Sequence, residues 1–169
     1  MTATPSSNHR PLALARLVQY VLALAAGLLG IVLWAHGGET LSPGEQAVRY
    51  RHALYTAIAW NVGQMRVMLD GSHDFDQARF AAAAGHVAAL SPLLTDAFPT
   101  DSNLPPKSAA RAEVWRDWPD FERRLAKLTA AGESLAAAAA GSDRERVRSA
   151  FADLTANCKS CHERYKQDD

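Results

Sequence analysis

Close to its C-terminal end the chain reads Asn-Cys-Lys-Ser-Cys-His-Glu-Arg-Tyr over residues 157–165, and Cys158 and Cys161 are its only cysteines. Two thiols three residues apart with a histidine directly behind them can do three kinds of chemistry. They can cycle between dithiol and disulfide, contribute to a zinc site, or form two thioethers to a porphyrin whose iron is ligated by the histidine. A redox pair ordinarily opens a helix, where the dipole lowers the thiol pKa. A zinc site needs more ligands than Cys158, Cys161 and His162, and no others cluster with them. A structural disulfide across one helical turn would be strained. Cys-x-x-Cys-His is the attachment pattern of c-type haem. The expectation is therefore one haem c, covalent through Cys158 and Cys161, with His162 as the metal ligand. The alternative is a non-haem Cys-x-x-Cys redox or zinc protein.

The elements that must position these residues are helices. Glycine and proline are sparse and alanine abundant, which favours helix. Ser42-Pro43-Gly44-Glu45 reads as a capping box with proline at the first helical position, and that helix should run to about Asp70, where Gly71 stops it. Asp74 with Gln77 can cap a second helix to about Leu90. Prolines between 92 and 106 enforce a loop, with Ser108 to Trp115 a short helical piece. Asp117 and Pro119 open a third helix ending at Gly141, and Ser142 with Glu145 caps a fourth, to about Lys166.

Apolar spacing supports this order. Phe121, Leu125, Leu128, Gly132, Leu135 and Ala139 form one seam, and Val147, Phe151, Leu154, Cys158, Cys161 and Tyr165 another. On the first helix Val48, Tyr55, Val62 and Leu69 share a row beside Arg51, Ile58 and Met65. The expected fold is all-α, an up-down antiparallel four-helix bundle, with both cysteines on the inward seam of the last helix.

Ahead of the bundle, residues 17–35 carry no charge and follow Arg10 and Arg16. This run is longer than a signal-peptide core and close to a bilayer span. Residues 1–37 are read as a signal peptide or N-terminal membrane anchor, 38–42 as a linker, and 43–169 as the haem domain. The two arginines keep the N-terminus inside, so the domain should be periplasmic, soluble or tethered to the inner membrane. The net charge is zero, with 18 basic and 18 acidic residues, which gives no nucleic-acid footprint. No paired carboxylates or nucleophile triad appears, so no enzyme is expected.

The Cys-Lys-x-Cys-His near the end of the last helix, followed by Tyr165, resembles the cytochrome c′ (class II c-type cytochrome) family. So do Ala47, Val48, Tyr50, Arg51, Gly63 and Met65 of the first helix and Glu113-Val114-Trp115. The resemblance runs from about residue 43 to the C-terminus. It implies that Arg51 pairs with a haem propionate, that His52 borders the propionates, and that Tyr55 shields the open side of the iron. Trp115 and Phe121 would pack on the porphyrin, and Lys166 would lie near His162.

His36, His73 and His86 are read as solvated or structural. Met65 and Met68 lie roughly 15 Å or more along the helix from Tyr55, too far to ligate the same iron. His52, three residues from Tyr55, is the competing ligand, and would give a low-spin bis-histidine centre with His162. The proline-rich loop departs from the family's glycine-rich segment. The resemblance implies one-electron transfer with respiratory redox partners, or binding of nitric oxide or carbon monoxide. It also implies a homodimer through the first two helices.

Overall fold

Ser42 starts the first long helix as its sequence predicts. In the computed structural model its hydroxyl accepts from the Glu45 amide at 3.3 Å, and the Glu45 carboxylate accepts from the Ser42 amide at 2.9 Å. The structure describes residues 19–20, 41–103 and 108–167. The chain divides into units 1–40 and 41–169. The signal or anchor segment over residues 1–37 lies outside the described residues apart from Gln19 and Tyr20. Among the described residues no helix is long and apolar enough to cross a membrane.

Within the second unit, helices α1 (Pro43–Leu69), α2 (Gln77–Leu90), α3 (Glu113–Arg116), α4 (Trp118–Ala139) and α5 (Arg144–Tyr165) follow one another. Two 3-10 turns, Ser91–Ala97 and Thr100–Asn103, fill the proline-rich connection. Gly71, at φ 85°, turns the chain out of α1 through the left-handed region that glycine enters without strain.

Three local expectations are corrected. The cap of α2 is Asp76, not Asp74: its carboxylate accepts from the Arg79 amide at 3.0 Å. Gln77 instead donates its side-chain amide to the Gly141 carbonyl at 3.0 Å and to the Ala139 carbonyl, closing the end of α4. The cap of α5 is Asp143, not Ser142, with its carboxylate 3.0 Å from the Arg146 amide. In both cases the residue directly before the helix sets its carboxylate on the amide three residues on, one of the free amides of the first turn. The helical piece expected over 108–115 contracts to α3, because residues 109–111 pair instead with the chain just after α5. There the Arg111 amide donates to the Tyr165 carbonyl and the Gln167 amide to the Ala109 carbonyl, each at 2.8 Å.

The α4 seam is buried where the spacing put it, and part of the α5 seam with it. Every member of the α4 row, Phe121, Leu125, Leu128, Gly132, Leu135 and Ala139, is buried. So are Val147, Leu154 and Tyr165 of α5. Helix α1 packs on α2, α2 on α4, and α4 on α5. The short α1–α2 and α4–α5 connections make those pairs antiparallel neighbours. Helices α1 and α5 barely touch. The bundle is closed on three sides and parted on the fourth.

Gly132 brings α4 against α2, since a methyl there would lie 3.4 Å from the Ala88 Cα and 3.7 Å from the Ser91 hydroxyl. That is ordinary contact, so Gly132→Ala should change stability by no more than ~1 kcal/mol. Gly132→Leu must separate the helices and should cost ~1–3 kcal/mol. Urea unfolding of both variants checks this; equal midpoints would show that the approach is not tight.

Candidate functional site

The parted seam between α1 and α5 holds a cavity of about 670 Å³, within the ~300–1,000 Å³ usual for small-molecule and cofactor sites. Val48, Tyr55, Ile58 and Val62 of α1 line it on one side, and Phe121, Leu125 and Leu128 of α4 on another. Cys158, Cys161, His162 and Tyr165 of α5 complete the wall. The row Val48, Tyr55, Val62 is half-buried along this space, and Ile58 beside it is buried. That row faces the cavity rather than a helix.

Of the residues singled out in the sequence, Cys158, Cys161, His162, Arg51, His52, Tyr55, Phe121 and Lys166 all line this one space. Trp115 does not; it stands one layer back and donates its indole N–H to the Pro99 carbonyl at 3.1 Å. Met65 and Met68 are buried in the core away from the cavity. His86 is exposed and bonds Asn61 across α1 and α2 at 3.1 Å, and His73 is exposed. His36 lies outside the described residues.

Both thiols sit in the closing turns of α5, not at its start. Burial pushes the pKa of Cys158 and of Cys161 up, the opposite of what a redox-active pair needs. No disulfide joins them. Among the described residues no three His, Cys, Asp or Glu side chains converge as a metal cluster, so the zinc alternative lacks its ligand geometry. Burial first, and then the charge of Lys166, lower the pKa of His162, favouring the neutral imidazole, the form able to ligate a metal. Its ring faces that of Tyr55 edge-on, centroids 6.3 Å apart. Burial raises the pKa of Tyr55 well beyond the ordinary phenol range, keeping it a neutral hydroxyl.

Arg51 is the charged exception in the core, only 6% exposed. One terminal nitrogen donates to the Ala97 carbonyl at 2.9 Å and the Ser102 hydroxyl at 3.2 Å. The other donates to the Ser102 carbonyl at 3.3 Å and the Ser108 hydroxyl at 2.7 Å. Its carbon lies 4.5 Å from the centre of the Phe98 ring. The guanidinium therefore does not reach out to water along its stem. Every acceptor is uncharged, and among the described residues no carboxylate pairs with it.

A second cluster fixes the end of α5. The Asp120 carboxylate accepts from the Tyr165 hydroxyl at 2.7 Å and from Arg124 at 2.7 Å, and it also bonds Arg123. Arg124 in turn donates to the Ser160 carbonyl at 3.1 Å. These bonds tie the turn that carries Cys161 and His162 to α4. The hydrogen bonds from Tyr165 and Arg124 hold the Asp120 carboxyl down to about 2.

The sequence reading missed Ser102, Ser108 and Phe98 around Arg51, and Asp120 and Arg124 behind the α5 turn. The available signal was the arginine itself. A cation on an apolar seam needs acceptors, and Ser102 and Ser108 in and just after the proline-rich stretch could supply them.

Comparison with known proteins now bears on this geometry. The family model described as Cytochrome C′ matches residues 46–166. The chain belongs to the cytochrome c′ family. It is 34% identical to cytochrome c′ from Allochromatium vinosum over 88% of this chain and 99% of that one. Its fold matches cytochrome c prime from Shewanella frigidimarina with a TM-score of 0.73 at 36% identity, covering 76% of this chain and all of the other. It also matches a nitric oxide complex of a mutant cytochrome c prime from Alcaligenes xylosoxidans, with a TM-score of 0.69 at 30% identity, covering 76% of this chain and 100% of that one. As a cytochrome c′ relative the chain is a c-type haem protein. The cavity fits that group: apolar walls, two thiols and an imidazole on one side, and only basic residues among its charged lining, Arg51, Arg66, Arg124 and Lys166.

Two outcomes follow. Arg51→Leu leaves the loop carbonyls and hydroxyls without their donor and should cost ~2–4 kcal/mol in urea unfolding; an unchanged midpoint would mean the guanidinium is not buried. The depressed Asp120 carboxyl stabilises the fold fully above its unfolded value of about 4, and that contribution is lost as pH falls toward 2. Asp120→Asn should therefore flatten the acid limb between those values, followed by ellipticity. An unaltered acid limb would contradict the assignment.

Proposed function

We propose that the chain carries one haem c, joined by thioethers at Cys158 and Cys161 and ligated by His162 alone, and that it binds a small gas such as nitric oxide or carbon monoxide on the Tyr55 side. The single observation behind this reading is that the ring facing His162 across the cavity is a tyrosine, with no methionine lining the space. When bound, the haem supplies an iron that changes between ferric and ferrous and has an open position for a diatomic ligand. The chain's own residues hold it in an apolar seam, keep His162 neutral, and place a bulky uncharged phenol over the facing side. Arg51 brings positive charge to the region expected to hold the propionates, with His52 beside it.

One-electron transfer to respiratory partners is the second reading. It is favoured by the exposure of His162 and Lys166 at the cavity rim, where a partner could approach. Export to the periplasm rests on Arg10, Arg16 and the uncharged run behind them. A carrier or gas-binding role without catalysis is part of the same proposal, as is a homodimer through α1 and α2, whose Trp60 is 68% exposed.

Absorption and electron paramagnetic resonance spectra of the purified protein test the coordination. A high-spin ferric signal at neutral pH and a ferrous spectrum altered by carbon monoxide are expected. Tyr55→Ala should bind carbon monoxide roughly tenfold faster, the effect of removing a steric barrier of ~1.4 kcal/mol. A low-spin bis-imidazole signal would assign His52 as second ligand and overturn the open-site reading.

A further inference from the structure

His162 stands in the last turn of α5, which ends at Tyr165. The final carbonyls of a helix lack partners within it, and terminal turns fray. A metal ligand there needs support from outside its own helix. The backbone receives some of it. The His162 carbonyl accepts from the Lys166 amide at 3.0 Å, the Tyr165 carbonyl from the Arg111 amide at 2.8 Å, and the Glu163 carbonyl from the Arg111 side chain at 3.4 Å.

Side chains of α4 grip the same turn at two further points. Arg124 donates from Nη1 to the carbonyl of Ser160, directly before Cys161, at 3.1 Å. Tyr165 donates its hydroxyl to the Asp120 carboxylate at 2.7 Å. The Nε of Arg124 donates to that same carboxylate, also at 2.7 Å. Ser160, Arg124, Asp120 and Tyr165 thus form a closed bracket around Cys161 and His162. Tyr165 is only 3% exposed, and its ring meets Phe121 edge-on, with centroids 5.1 Å apart. Neither Asp120 nor Ser160 lines the cavity, so the hub of the bracket lies outside the space that a cofactor fills.

A metal-ligating histidine is ordinarily oriented by a hydrogen bond to its second ring nitrogen. Among the described residues no such bond reaches the His162 ring; its ring contact is the edge of Tyr55. Its direction must come from the segment that carries it. We infer that Asp120 is a positioning residue for His162: through Tyr165 and Arg124 it sets the angle and depth at which the imidazole meets the iron, although it touches neither. This inference rests on the reading of His162 as the iron ligand and adds to it the group on α4 that governs the bond. The carboxylate gathers donors from both helices, so its loss releases both ends of the bracket at once.

The test uses resonance Raman spectra of the ferrous holoprotein, where the iron–histidine stretch reports that bond directly. Asp120→Ala removes the hub and should broaden the band and move it to lower wavenumber, because an imidazole free to tilt meets the iron off axis. Tyr165→Phe keeps the ring against Phe121 and removes only the hydroxyl; it should shift the band the same way by a smaller amount. Asp120→Asn keeps an acceptor for Tyr165 and should recover part of the shift. The double variant of Asp120→Ala with Tyr165→Phe should match Asp120→Ala alone, since both act through one carboxylate. A merely structural role would lower the urea midpoint and leave the band where it was. That result, or additive shifts in the double variant, would overturn the proposal. If Asp120→Ala does not fold, Tyr165→Phe decides by itself: a shifted band supports the proposal and an unmoved one overturns it. A wild-type ferrous protein without any iron–histidine band would instead overturn the reading of His162 as sole ligand, on which the inference stands.

Discussion

The structure depends on one open seam. Four helices can close their apolar faces pairwise around a ring, and three of the four neighbouring interfaces here do so. Between α1 and α5 the faces are held apart, so Val48, Tyr55 and Val62 of α1 and Cys158 and Cys161 of α5 border a cavity instead of one another, with Leu125 and Leu128 of α4 lining it as well. Val48 and Val62 are only half-buried there and forgo part of the ~1.5–3 kcal/mol each that full burial would give. A flat apolar group in that gap recovers the loss. It also explains why the two thiols and the histidine lie on an inward seam rather than at a helix start. The cofactor would then act as the missing helix–helix contact, and attachment and folding would be coupled.

The polar groups around the seam serve the same end. Arg51 is buried and organises the connection between α2 and α4 through carbonyls and hydroxyls, with Phe98 against its face. Asp120 gathers Tyr165, Arg124 and Arg123 and so fixes the last turns of α5. An aromatic chain of Phe98, Phe121 and Tyr165 links the two clusters, with centroids 4.7 and 5.1 Å apart. Both clusters thereby brace the cavity wall from behind.

Much of this was legible in the sequence because helical spacing is a strong signal. The α4 row from Phe121 to Ala139 is buried at every position, and the α1 boundaries were fixed by Ser42, Glu45 and Gly71. The motif at Cys158 was equally plain. Other features depended on competition between neighbours. Asp76 and Asp143 each sit beside another plausible cap, and only the path of the chain decides between them. The partners of Arg51 come from 46 to 57 residues away along the chain, through a proline-rich stretch with no period to read. Trp115, which the resemblance places against the porphyrin, is not among the residues lining the cavity and donates its indole N–H to the Pro99 carbonyl.

The most direct measurement is the intact mass of the protein, purified from a host able to attach haem, after acid denaturation and thiol reduction. The account predicts the mass of the polypeptide plus one haem, retained because thioethers at Cys158 and Cys161 survive both treatments. The mass of the bare polypeptide under those conditions would show that the open seam is filled by something else.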